Sequence, residues 1–372
     1  MKSSRLTTVV CLFFITLTSI AATSRNFAKI DFVATHTDNV NFSSIEDLVN
    51  YGKKNAANDV ETLRFYFVWV ARNVQYDVDE LKTPHRNPAK QEPETVFRNR
   101  QAICRGYSDL LTVICQKAGI NCRSVAGYTN TQGTDGRDDL HAWNAIEVNH
   151  EWFLFDVTWA SNYLESGGKI DERFDGYFSQ TTQKFIRKHF PFDPVWQLSE
   201  FVLPKEAFFC GDTEGVSHQK SYFGDFKSIL SQESNLDWAQ QGIRSFERAL
   251  TFMPDETRLH EALNYYKSEK AGFLFRQSRI LLEQFKDISE EDLKRWTLKD
   301  VQKMLNDAQK ASTLLTQALV VFESMKTAQE DMKAKEENIS TIHQNKNVAE
   351  KVIIFLESVK KELKKIPIAN KY

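Results

Sequence analysis

Apolar side chains between Cys104 and Ala118 recur in steps of three and four, at Tyr107, Leu110, Leu111, Ile114 and Ala118. That spacing predicts one buried face of a helix, stopped by Gly119. Cys104 is its first residue. Cys115 lies eleven residues further on, at almost the same angular position, which places it in the core below. Cys122 to Thr129 reads as a strand, and the polar stretch 130–139 as a loop and a candidate lid. His141–Val148 and Glu151–Trp159 form a hairpin around Asn149-His150. In that register Val148 pairs with Glu151, Trp143 faces Asp156 and His141 faces Thr158. Ile146, Val148, Phe153, Phe155 and Val157 share the apolar face, and His141, Trp143 and Asp156 share the other. A slip of one residue would mix the two sets.

Upstream, residues 23–40 show no helical period and read as an extended arm. Ser43 followed by Glu46 matches a capping box and opens a helix through about Lys54. Asp59 can cap a second helix, rich in Leu63, Phe65, Phe67, Val68, Val70 and Ala71. Asp77 to Gln91 reads as a loop, and Pro93 as the first turn of a short helix. Residues 160–205 look irregular. From about Phe226 proline becomes rare and charge dominates. Val301, Leu305, Ala308, Ser312, Leu315, Leu319 and Phe322 form a helical seam. Asn338 to Asn347 breaks it, and Val352, Leu356, Val359 and Leu363 resume it. Helices around 237–250 and 257–285 join it. The expectation is a mixed α+β domain over 41–205, a linker over 206–225 and an all-α bundle over 226–372. The lysines near 360–365 suit a helix C-terminus and need no anionic partner.

The chain has 372 residues, enough for two domains with real cores. A net charge of −2 supplies no general field for nucleic acid. Lys2 and Arg5, the short apolar run Val9 to Ile20, and Ala21-Ala22 read as a secretory signal over 1–22. That predicts a secreted or periplasmic protein with no membrane span after cleavage. Cys11 leaves with the signal, and Cys104, Cys115, Cys122 and Cys210 remain. Cys115 and Cys122 form either a disulfide or two small buried apolar residues. Asn41-Phe-Ser and Asn338-Ile-Ser fit glycosylation acceptors in a host that glycosylates exported proteins.

The chemistry lies in three stretches: Cys104 with Arg-Gly-Tyr-Ser after it, His141-Ala-Trp-Asn, and Phe155-Asp156-Val-Thr-Trp159. A thiol at a helix N-terminus is biased toward thiolate, because orphan N–H groups favour the anion. An imidazole can take its proton and later protonate a leaving amine. A carboxylate on the far ring nitrogen fixes tautomer and orientation. The backbone N–H of Cys104 faces a developing oxyanion, and Gln101 is the nearest side-chain candidate to help. Trp143 either lines the cleft or covers the sheet. Tyr107, Tyr128, Trp159 and Trp196 read as packing. No CxxC or His-x3-His spacing suggests a metal site, and no cofactor motif is present.

These blocks resemble the transglutaminase-like superfamily, within it the kyphoscoliosis peptidase-like group with its papain-like fold. The likeness runs through Phe67-Val-Trp69 to Tyr76-Asp, Asn99 to Ser108, Val125 to Tyr128, His141 to Asn144, Phe155 to Trp159 and His189 to Leu198. It covers roughly residues 60–200 and leaves the helical half unmatched. The resemblance implies Cys104 as nucleophile, His141 as base and Asp156 as orienting acid. It implies a thiol enzyme acting on amide bonds of a protein or peptide, by hydrolysis or by acyl transfer to an amine. An inactive scaffold working through a protein partner of residues 226–372 is the alternative.

Overall fold

A computed structural model of the chain describes residues 27–83, 87–130, 140–211, 224–326 and 332–365. The targeting segment read at 1–22, the candidate lid loop and most of the expected linker lie outside the described residues. The chain divides into two compact units between Ile229 and Leu230.

The first unit is α+β. Its helices are α1 Ala28–Thr35, α2 Ile45–Asn55, α3 Asp59–Asn73, α4 Val78–Lys82, α5 Pro93–Asn99, α6 Cys104–Ala118, α7 Val157–Glu165, α8 Glu172–Asp175, α9 Thr182–Phe185 and α10 Lys205–Phe209. Strands β1 Gln75–Tyr76 and β2 Gln101–Ala102 make a small parallel pair. Strands β3 Cys122–Thr129, β4 Leu140–Val148, β5 Glu151–Phe155 and β6 His189–Pro191 form an antiparallel sheet in the order β5-β4-β3-β6. Helix α11, Phe226–Glu233, spans the division.

Several sequence expectations shift by a residue or fail outright. The first capping box is Ser44 with Asp47, because Ser44 holds the extended backbone that a cap needs. Asn58, one place before Asp59, caps α3. The extended arm contains α1, whose Ile30 and Ala34 are buried in the core with Phe27 and Val33 packed beside them. An ion pair from Asp31 to the buried Arg64 at 2.7 Å adds to that packing, and Arg64 also reaches Asp175 at 2.7 Å. The largest correction concerns the hairpin. Its register is as expected, Val148 to Glu151 through Asn144 to Phe155. Asn149 and His150 take φ of 53° and 64°, as a tight hairpin turn requires. The second strand, however, stops at Phe155. Asp156 is the N-cap of α7, accepting from Trp159 N–H at 2.9 Å. The local cap wins over continued alternation because it satisfies an orphan N–H with a charged acceptor.

One core joins α1, α2, α3, α6 and α7 to one face of the sheet, with Ile146, Val148, Phe153 and Phe155 in it. Cys104, Cys115, Cys122 and Cys210 are all free, and Cys115 and Cys122 are two buried thiols in hydrogen-bond contact.

In the second unit α12 Trp238–Phe252, α13 Thr257–Glu283, α14 Glu290–Arg295, α15 Leu298–Glu323 and α16 Met332–Lys365 are helical. Leu274 and Leu282 of α13 pack with Leu315 and Phe322 of α15 and Ile342 of α16. The expected break at 338–347 is absent: α16 runs through it. Ile342, Ala349 and Leu356 are its buried residues, one per seven, so the polar stretch is solvated helix surface. Among the described residues no helix is long and apolar enough to cross a membrane.

Gly127 is where sheet geometry meets the site. It pairs with His141 on one side and Pro191 on the other. A Cβ there would stand 2.1 Å from the Phe190 carbonyl oxygen and 2.6 Å from Trp143. Backbone cannot rotate out of the way, so β6 must move. Gly127→Ala is expected to lose about 1–3 kcal/mol of stability, read as a lower urea midpoint by tryptophan fluorescence. An unchanged midpoint would contradict the packing described.

Candidate active site

Cys104 opens α6, whose N-cap is Ile103. Ile103 offers no capping side chain, and the first turn holds no acidic residue. The orphan N–H groups are therefore left to other acceptors. Backbone N–H groups of Ala142 and Arg105 hydrogen-bond to the Cys104 sulfur. Burial pushes this thiol up, but His141 and those N–H groups outweigh burial and bring it below its ordinary value.

His141 sits second on β4. Its Nε2 lies 2.9 Å from Asp156 Oδ2, which leaves Nδ1 for the thiol. Burial opposes charge on this ring. The pull of Asp156 and of Cys104 overcomes it and carries His141 up to about 10. Asp156 is fully buried, and burial alone would raise it. His141 and His189 hold it instead well below the usual carboxylate range. The arrangement thus favours a thiolate–imidazolium pair on an ionised carboxylate.

Residues of the same motifs that carry no chemistry fix this geometry. Ser108, one turn below Cys104, donates to Trp143 O at 2.6 Å. Asn144 donates back to Ser108 O at 2.9 Å. These two bonds tie α6 to β4 next to both reacting side chains. Tyr107 OH donates to Val74 O at 2.6 Å, tying α6 to the end of α3. Gly106 leaves room for Gln91, whose Oε1 would stand 2.6 Å from a Cβ there. Gln91 Oε1 accepts from Ile103 N–H at 3.1 Å.

The structure brings Cys104, His141 and Asp156 together. Gln101 does not join them: it is exposed on β2, and its side chain makes no hydrogen bond to the three. A buried amide that does reach the start of α6 is Gln91, twelve residues from its partner and invisible to a local motif. Trp143 is 1% exposed and packs against Phe185 and His189, so it covers the sheet rather than lining a cleft. Trp159, expected in the core, is half-buried and stacks on His141 with ring centroids 5.4 Å apart. It also lines an open surface hollow of about 310 Å³ with Asn162, Tyr163, Arg173 and Tyr177. His189 was unforeseen as a site residue. Its Nε2 lies 2.9 Å from the same Asp156 Oδ2. One ligand-type atom each from His141, Asp156 and His189 lie within 4.8 Å of one another. A metal there would have to take the Nε2 and Oδ2 atoms that the three residues now use on each other, so the cluster reads as hydrogen-bonded.

Comparison with known proteins places this site in a family context. Residues 46–157 match the transglutaminase-like superfamily, so the chain carries a transglutaminase-like domain. The chain is 30% identical to human (Homo sapiens) kyphoscoliosis peptidase over 193 residues, 49% of this chain and 28% of that protein. It is 25% identical to the Caenorhabditis elegans Lim and transglutaminase domain protein ltd-1 over 275 residues, 68% of this chain and 36% of that one. The chain thus spans about a third or less of these relatives. A crystal structure of a TGase aligns over 34% of this chain and 36% of its own, at 16% identity and a TM-score of 0.26.

The two shifts define a pH window. A lowered thiol stays ionised below its ordinary range, and a raised imidazole stays protonated up to about 10. Iodoacetamide should therefore alkylate Cys104 with an acid limb that lies below the ordinary thiol range. An ordinary thiol would climb through a pKa of about 8.5. His141→Gln should slow alkylation near pH 6 at least about tenfold. Equal pH profiles for the two proteins would contradict the ion pair.

Proposed function

We propose that this transglutaminase-like domain belongs to a thiol enzyme that breaks amide bonds of a protein or peptide through an acyl-enzyme, with water as the acceptor. The observation that carries the reading is the convergence of Cys104, His141 and a fully buried Asp156 at an uncapped helix N-terminus. The name of the human relative, a peptidase, agrees with hydrolysis.

The steps follow from the positions. The Cys104 thiolate forms an S–C bond to the amide carbonyl carbon, and the π pair moves onto oxygen. First-turn N–H groups of α6 are suited to that oxyanion. Collapse breaks the C–N bond while His141 passes its proton to the departing nitrogen. The resulting thioester is attacked by water, whose proton goes to His141. The C–S bond breaks, the thiolate returns and a carboxylic acid leaves. Asp156 keeps its charge throughout and holds the imidazolium in line. An amine in place of water gives acyl transfer with the same residues.

A peptide-library digest of wild type against Cys104→Ala, with and without a primary amine, tests the reading. New amino termini should appear with wild type and fall at least about a thousandfold in Cys104→Ala. Predominant amine adducts would replace hydrolysis with acyl transfer. Absence of any Cys104-dependent product under both conditions would overturn the enzyme reading.

A further inference from the structure

The reaction outlined above uses one imidazole, yet Asp156 holds two. Its Oδ2 receives His141 Nε2 and His189 Nε2, each at 2.9 Å, and its Oδ1 receives Trp159 N–H at 2.9 Å. His189 is 2% exposed and lies inside an aromatic box. Phe185 stacks on it at 3.8 Å, Trp159 stands at 4.4 Å and Trp143 at 5.1 Å between ring centroids. Its backbone pairs with Thr129 at the start of β6, so ring and strand are fixed together.

That setting decides the form of the ring. The charged groups acting on His189 are Asp156, from the N-cap of α7, and His141, from β4. Burial pushes His189 down ahead of the pull of Asp156, and a charged His141 opposes a second cation. Nδ1 has no well-aligned acceptor; the nearby Phe185 backbone gives it only the weakest upward pull on the ring, which burial outweighs. A neutral ring facing a carboxylate must carry its proton on Nε2 and donate it. A neutral donor helps Asp156 without competing with His141 for its charge.

We propose that His189 is a positioning residue for the chemistry at Cys104, donating from Nε2 to Asp156 Oδ2 and so fixing the carboxylate on His141. Its effect reaches the thiol through two hydrogen bonds, from Asp156 to His141 to Cys104. Without it, Oδ2 loses one of two donors in a site water does not reach. The carboxylate then turns or takes a proton, and the imidazolium loses its support. The same arrangement explains why β6 sits at the sheet edge beside β3: it is the element that delivers the second imidazole.

The proposal rests on the thiol-enzyme reading for its meaning, but its test does not need turnover. The pH profile of Cys104 alkylation is measured, with EDTA present, for wild type, His189→Phe and His189→Gln. Phenylalanine keeps the stack on Phe185 and removes the donor, whereas glutamine restores an N–H at similar reach. In His189→Phe the acid limb should move up by about one pH unit or more, a tenfold loss of thiolate at any pH on that limb. His189→Gln should recover most of that loss. Where turnover is measurable, kcat should fall in His189→Phe with KM little changed. A folded His189→Phe with the wild-type profile would overturn the proposal. Should that variant not fold, imidazole nitrogen shifts of the wild type decide: a neutral Nε2–H ring near pH 6 supports the proposal, and a cation or an Nδ1–H ring overturns it. If wild type turns over no amide, the proposed function fails while the profiles still judge His189.

Discussion

A carboxylate removed from water costs several kcal/mol unless every lone pair is answered. Asp156 is such a group, and much of the first unit can be understood as the means of answering it. Three donors reach it from three elements: the first turn of α7, the ring on β4 and the ring on β6. Each element must therefore be in place for the charge to be tolerated. The sheet order β5-β4-β3-β6 brings the two imidazole-bearing strands to either side of β3. Gly127, between His141 and Pro191 in the ladder, lets them approach.

From that charge the chemistry propagates outward. An ionised Asp156 holds a proton on His141, and a protonated His141 holds Cys104 as thiolate. The helix end contributes because its cap is apolar and offers no competing acceptor. Cross-ties through Ser108, Asn144 and Tyr107 prevent α6 and β4 from separating. Removing one partner from such a chain leaves the others buried and unpaired, so the effects should couple rather than add.

The parts legible in the sequence are those set by local rules. Helix α6 and strand β3 keep their expected bounds: Gly119 ends one at φ 84°, and the other runs from Cys122 to Thr129. The hairpin register follows from a two-residue turn. What the sequence hides is set by long reach. His189 meets Asp156 across 33 positions, and Gln91 meets Ile103 across 12, with no pattern to mark either. Helix α1 adds to a short apolar face an ion pair that reaches Arg64 across 33 positions, and α16 buries too few residues through 338–347 to look continuous. Asp156 shows a genuine competition. Alternation favours a longer strand, but a carboxylate followed three residues later by an orphan N–H makes a cap.

The central claim is that a buried Asp156 keeps Cys104 ionised through His141. It is tested most directly by the ultraviolet absorbance of the thiolate, taken as the difference between wild type and Cys104→Ala along an acid titration, and repeated in an Asp156→Asn background. The account predicts that the wild-type difference persists well below the ordinary thiol range and that Asp156→Asn returns it to that range. A wild-type difference that rises only through the ordinary range, or one that Asp156→Asn leaves unchanged, would contradict it.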